Sequence, residues 1–260
     1  MTIDFKMNSG EPNKSLVRTG DCPPHSSGVS RKEMVKKTLM TSIKGWPFFC
    51  SWSGGKDSCL ALYRAIQNGG IPKVLLTMLT EDGERSRSHG LSVGLVQYQA
   101  QALGIPLVVC KSSWNDYEDN FLSVIRKFKE DGIAYGVFGD IDLESHLEWV
   151  ERVCSSVAIR PYEPLWKGVR RDILNEFLHL GFKATIIAIK QGVLSNNFLG
   201  RTLDQQVITD LEKAEIDASG EEGEYHTVVT NGPIFSSAIH LEIKEQVVRD
   251  GYCFLDVSLR

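Results

Sequence analysis

The sequence predicts an α/β protein, a doubly wound and mostly parallel sheet followed by a smaller C-terminal α+β domain. Three observations predict it. From Trp46 onward, short apolar runs alternate with segments of helical periodicity, four times in succession. The runs are almost continuously apolar, which is what strands need when helices cover both faces of their sheet. Beyond the proline-rich stretch Arg160-Pro161-Tyr162-Glu163-Pro164 this rhythm weakens, and the last segments alternate apolar with polar residues instead.

Taken in order, Pro47 to Trp52 is the first strand. Cys59, Leu60, Leu62, Tyr63 and Ile66 mark a helix after it. Val74 to Leu79 is the second strand, followed by a helix from Leu91 to Leu103 that ends at Gly104. Ile105 to Cys110 and Tyr135 to Phe138 are the third and fourth strands, separated by an amphipathic helix carrying Phe121, Leu122, Val124, Ile125 and Phe128. A further helical stripe runs through Leu143, Leu147, Val150, Cys154 and Val157. The second half offers a helix from Asp172 to Leu180, a strand from Ala184 to Ile189, a helix from Leu203 to Ala214, and a hairpin turning at Asp250-Gly251. The domains are therefore placed at 1–45 (a flexible, solvated tail, with a partner-binding arm as the alternative), 46–160 and 161–260. Met34 and Met40 offer alternative starts within that tail.

Composition narrows the function. A hydrophobic fraction of 42% and a charged fraction of 24% exclude disordered, collagenous and coiled-coil chains. No apolar run approaches the length of a membrane-spanning helix. The net charge is −4, but residues 1–45 carry eight basic and four acidic side chains, which leaves 21 basic and 29 acidic in the remainder. So acidic a body argues against nucleic acid as partner. Six cysteines are scattered without a C-x-x-C, which disfavours zinc and a disulfide framework and points to a reducing cytoplasm.

Ligands on a doubly wound sheet bind beyond the carboxyl ends of its strands. The loop after the first strand reads Ser53-Gly54-Gly55-Lys56-Asp57-Ser58 and opens a helix. Adjacent glycines let backbone N–H groups approach an anion, and the helix N-terminus adds its positive dipole end. Ser53 and Ser58 supply hydroxyls and Lys56 a charge. Asp57 would repel phosphate directly but suits Mg²⁺ bridging phosphates. The P-loop NTPase pattern does not fit, since Cys50 stands where its first glycine belongs.

This hexapeptide resembles the SGGxDS signature of the PP-loop, or N-type, ATP pyrophosphatases. The resemblance implies an adenine nucleotide alpha hydrolase-like fold of the HUP/Rossmann-like kind. It also implies cleavage of ATP to AMP and pyrophosphate, with the loop holding the departing pyrophosphate. Four later segments resemble the diphthine–ammonia ligase branch: residues 138–144 (FGDIDLE), 163–166 (EPLW), 197–201 (NFLGR) and 220–227 (GEEGEYHT). The resemblance covers about residues 46 to 235. It implies adenylation of a carboxylate followed by transfer of ammonia or an amine. Diphthine on the translocation elongation factor is the acceptor in eukaryotes and archaea. Glu222 and His226 depart from the ligase pattern, which has Gly and Glu there, and this leaves a small-molecule acceptor equally open.

The resemblance and the loop positions together assign roles. Lys56, Asp57, Glu224 and His226 are the catalytic candidates, and Asp57 is also the metal candidate. Ser53, Gly54, Gly55, Lys56, Asp57, Ser58, Gly139 and Asp140 are placed at the nucleotide, with Asp140 alternatively a helix cap alongside Asp142. Arg87, His89, Glu163, Glu221 and Glu224 are placed at the substrate. Arg87 and His89 would bind phosphate or a carboxylate, and Glu163 is alternatively a fixture of the interdomain joint. ATP and Mg²⁺ are the expected cofactors, ammonia the co-substrate, and a homodimer is left open. The rival readings are a tRNA-modifying PP-loop enzyme, of thiolation or lysidine type, and a nucleotide-binding module without catalysis.

Overall fold

The computed structural model describes residues 42–260, so the expected tail lies almost wholly outside the described residues. The first half contains β1 (Pro47–Ser51), α1 (Lys56–Gln67), β2 (Ile71–Leu79), α2 (Val93–Leu103), β3 (Leu107–Lys111), α3 (Tyr117–Glu130), β4 (Tyr135–Val137), α4 (Glu144–Ser156) and β5 (Arg160–Tyr162). Its five strands form one parallel sheet in the order β3-β2-β1-β4-β5. Strand order reverses at β1 and β4, and the loops leaving these two strands flank the resulting crevice.

Strand periodicity explains the layers. Phe48 and Cys50 point to one face of β1 and join an apolar cluster with Leu60 and Leu62 of α1 and Leu95 and Val96 of α2. Phe49 points to the other face, among Phe121, Ile125 and Phe128 of α3 and Val150 and Val153 of α4. The phenyl ring of Phe49 lies 5.4 Å from that of Phe128 and 5.8 Å from that of Phe138. A sheet buried on both faces is what its uninterrupted apolar strands require.

The second half contains α5 (Arg170–His179), β6 (Lys183–Lys190), a short 3₁₀ turn (Asn196–Phe198), α6 (Gln205–Lys213), β7 (Tyr225–Asn231), β8 (Leu241–Arg249) and β9 (Tyr252–Leu259). Four antiparallel strands run in the order β7-β6-β9-β8. Asp250 (φ +50°) and Gly251 (φ +76°) close the β8–β9 hairpin, and both take the left-handed conformation that a tight two-residue turn demands. β8 is an edge strand whose pairing to β9 slips between Ile243 and Gln246. Two strands were not anticipated. β5 is three residues long and begins within the proline-rich junction, and β7 follows directly on the glycine- and glutamate-rich motif. No helix among the described residues is long and apolar enough to cross a membrane.

The two sheets share one core, because Ile186, Val228 and Val229 of the second sheet belong to the same cluster as Cys50 and Leu60 of the first. They also share hydrogen bonds. Val229 donates its backbone N–H to the Gly54 carbonyl at 2.9 Å. Gln99, with no exposed surface, accepts from Trp52 Nε1 at 3.1 Å and donates from Nε2 to the carbonyls of Gly54 (3.0 Å) and Val229 (2.8 Å). Every hydrogen-bonding atom of that buried amide is engaged. Replacing Gln99 by Leu strands the Trp52 indole N–H and the Val229 carbonyl, a loss of about 2–4 kcal/mol. Denaturant unfolding of the two proteins measures it.

Candidate functional site

The carboxyl ends of β1, β2 and β4 open onto a cavity of about 260 Å³. The turn after β1 forms its floor. Gly54 lies at φ +82°, and a Cβ there would fall 2.5 Å from Leu91 and 2.6 Å from Gln99. A Cβ on Gly55 would fall 2.4 Å from His89 Nε2. Both glycines are thus demanded by space, and Gly54 by its backbone conformation as well, and they shape the turn from behind rather than lining the cavity. Ser53 Oγ and Ser58 Oγ are 2.9 Å apart across the turn. Gly55 is the N-cap residue of α1, where no side chain caps the helix, and the first helical N–H, that of Lys56, donates to Thr227 Oγ1 of β7 at 3.1 Å.

Lys56 and Asp57 stand side by side on the wall, with Nζ 2.7 Å from Oδ2. Burial pulls the Lys56 pKa down, but the charge and hydrogen bond of Asp57, foremost among its neighbours, outweigh it, and the ammonium is held charged above its ordinary range. Burial pushes the Asp57 carboxyl up against the pull of Lys56, and the charge of Asp140 adds to the rise. Glu221, on the wall opposite, is pushed up to about 8, first by burial and then by the charge of Asp57.

Gly139 and Asp140 follow β4. A Cβ on Gly139 would lie 2.8 Å from the backbone of Asp57 and Ser58, so only glycine lets the loop after β4 seat against the first turn of α1. Asp140 does not cap α4, whose N-cap is Leu143; it pairs with His146 Nδ1 at 2.9 Å and raises that imidazole's pKa. Arg87, beyond β2, stacks 4.5 Å from the Trp114 ring and donates to the Ser112 carbonyl, while its buried Nε has no partner. His89 and His226 face each other with ring centroids 4.7 Å apart, and Tyr252 stacks on His226 at 5.4 Å. Burial holds both imidazoles neutral, His89 at about 3 and His226 well below its ordinary value.

The structure therefore gathers Ser53, Lys56, Asp57, Ser58, Arg87, His89, Gly139, Asp140, Glu221 and His226 around one cavity. It does not bring Glu163 or Glu224 to the wall. Glu224 is buried and accepts from the Glu222 N–H at 3.0 Å. Glu163 is 6% exposed with neither oxygen hydrogen-bonded. Trp166 is half-buried away from the cavity, with Lys167 Nζ 4.7 Å from its ring centre. Sequence reasoning missed the aromatic wall of Trp114, Tyr117 and Trp149, as well as His146 and Thr227. The aromatics sit in or beside helices where they count as core, and Thr227 closes a motif read as a loop. Cys59 is fully buried and its thiol pKa is raised by burial, which suits packing and not sulfur chemistry.

A doubly wound sheet with a Ser-Gly-Gly-Lys-Asp-Ser turn at its switch point, roofed by a second sheet, defines a PP-loop α/β protein. Two family models match it, the diphthamide synthase N-terminal domain over residues 49–161 and the diphthamide synthase C-terminal domain over residues 170–258. The chain belongs to the diphthamide synthase family. Diphthine–ammonia ligase of Homo sapiens is 28% identical over 235 residues, spanning 79% of this chain and 86% of that protein. The ligase of Rattus norvegicus is 27% identical over the same length and the same shares. Among solved structures, the predicted subunit of tRNA methyltransferase from Methanocaldococcus jannaschii aligns over 72% of this chain and 98% of its own, at 15% identity and a TM-score of 0.41. So loose a superposition says nothing about function.

Two measurements probe this geometry. Gly139→Ala must displace the first turn of α1, and it is expected to weaken ATP binding at least tenfold by calorimetry and to cost about 1–3 kcal/mol of stability. Burial, then the charges of Asp140 and Glu151, push Glu163 up to about 9 from its ordinary 4.5. Between those values the folded state holds a proton that the unfolded chain releases. Stability is therefore intact below about pH 4.5 and declines as pH rises toward 9. Glu163→Gln removes this slope, so its melting temperature relative to wild type should climb between pH 5 and pH 9. A difference that stays flat with pH contradicts the assignment.

Proposed function

We propose that this chain is an ATP-dependent amide-forming ligase of the diphthine–ammonia type. The observation that carries the reading is a single cavity with Ser53, Lys56, Asp57 and Ser58 of the turn on one wall and Glu221 and His226 of the 220–227 motif on another. Such a cavity holds a nucleotide and a second reactant at once, which adenylation requires.

In the first step a carboxylate oxygen of the acceptor attacks the α-phosphorus of ATP. The bond to the bridging oxygen breaks and pyrophosphate leaves with the electron pair. The charged Lys56 and the hydroxyls of Ser53 and Ser58, all on the cavity wall, stabilise the charge that gathers there. Asp57 would hold Mg²⁺, with Asp140 nearby. Two carboxylates plus phosphate oxygens fit that ion, and among the described residues no larger ligand cluster competes. Mg²⁺ supplies charge neutralisation of the phosphates when bound.

In the second step ammonia or an amine attacks the acyl carbon, the carbon–oxygen bond to AMP breaks, and one proton must leave the nitrogen. Glu221, pushed up to about 8, is matched to accept that proton near neutral pH. His226, kept neutral by burial, serves as a hydrogen-bonding ring beside it. Three carboxylates around the cavity (Asp57, Asp140 and Glu221) favour an acceptor with positive charge near its carboxylate, as diphthine on an elongation factor provides.

Incubation with ATP, Mg²⁺, ammonium and diphthine-bearing elongation factor should yield AMP, pyrophosphate and one amide per turnover. Asp57→Asn is expected to lower AMP release at least a hundredfold while the fold is retained. ADP as the product, or turnover indifferent to Asp57, contradicts the reading.

A further inference from the structure

Arg170, at the start of α5, lies off the wall of the nucleotide cavity, yet it makes the densest polar contacts near it. Its guanidinium holds both oxygens of Asp142, Nε to Oδ2 and Nη2 to Oδ1, each at 2.7 Å. The remaining edge donates from Nη1 to Asp217 Oδ2 at 2.5 Å. Asp142 stands two residues beyond Asp140 in the loop that leaves β4. Asp217 organises the loop that carries Glu221. Its carboxylate accepts from the Ser219 N–H (3.0 Å), the Ser219 hydroxyl (2.6 Å) and the Glu221 N–H (3.4 Å). Two tyrosines pin that loop separately, Tyr225 Oη on the Ala218 carbonyl beside Asp217 at 2.6 Å and Tyr252 Oη on the Gly223 carbonyl at its far end at 2.8 Å.

We propose that Arg170 is a positioning residue for the ligase reaction, one guanidinium that fixes the Glu221 loop against the Asp140 loop and so sets the distance between acceptor and nucleotide. The planar fork is what the task needs. It binds one carboxylate through two parallel bonds and still presents a third N–H at a fixed angle. A lysine ammonium keeps the charge but is a point donor, unable to hold two carboxylates in one geometry. An error near 1 Å in the placement of reacting groups costs about a hundredfold in rate.

The inference rests on the ligase reading for its activity arm, so the test has a second arm that does not. In the full chain, Arg170→Lys should leave ATP affinity within about threefold of wild type. It should lower amide formation on diphthine-bearing elongation factor by about a hundredfold. AMP should be released in excess of amide, because a misplaced acyl-adenylate is lost to water. Hydrogen exchange with ATP bound should quicken in residues 217–224 and stay unchanged in α1. A lysine variant with wild-type amide yield and wild-type exchange overturns the proposal. So does one in which ATP affinity, melting temperature and protection across the whole chain fall together, which marks a residue that merely stabilises the fold. If the wild-type protein forms no amide, the ligase reading fails, and local exchange in 217–224 alone decides whether Arg170 is the clamp.

Discussion

The glycine turn after β1 has the shape it has because a second sheet stands behind it. Gly54 offers one carbonyl, and two donors converge on it, the Val229 N–H from the second sheet and the Gln99 amide from α2. Thr227 takes the first free N–H of α1, and His89 fills the space where a Cβ on Gly55 would be. A glycine pair alone is conformationally loose and loses much entropy on ordering. Here the ordering contacts come from β7, α2 and the loop after β2. The turn is thereby set in advance, with Ser53, Lys56 and Ser58 held at the cavity wall.

The same seam explains the electrostatics. Roofing the turn with β7 and the 217–224 loop removes Lys56, Asp57 and Glu221 from bulk water together, and each then feels the others more strongly. Lys56 remains charged beside the Asp57 carboxylate, while Asp57 and Glu221 are both driven upward by burial first, and Glu221 further by the charge of Asp57. The imidazoles of His89 and His226 are held neutral by the same enclosure. The site's charge state is a property of the joint between two sheets and belongs to neither alone.

Much of this was legible in the chain. Four strands and their helices followed from apolar runs spaced by amphipathic segments, and the hexapeptide after β1 announced an anion site through its glycines and its position. The misses have physical causes. β5 is three residues long and contains Pro161, so no periodicity can show in it. β7 is an edge strand of the second sheet seated against the turn after β1, and its Tyr-His-Thr start looks like the end of a polar motif. The aromatic wall escaped because Trp114, Tyr117 and Trp149 fit ordinary packing patterns. Their exposure to a cavity depends on which neighbours are absent. Gln99 and Arg170 could not be found from sequence at all, since a glutamine in a helix and an arginine at a helix start are commonplace. Their importance lies in partners 45 or more residues away for the amide and 28 or more for the guanidinium.

The outermost strand of the second sheet has a consequence for how the molecule behaves among its own kind. β8 presents a free row of backbone groups and carries Ile243, Val247 and Val248 in solvent, which by itself is a template for adding strands from other chains. Its slip in register between Ile243 and Gln246 bends that row out of line, and Glu242, Lys244 and Glu245 place charges along it. A neighbour laid against it would meet a kinked ladder and unscreened side-chain charge. The fold thus guards this long exposed margin against fibrous polymerisation, without spending a cap or an extra helix to do so.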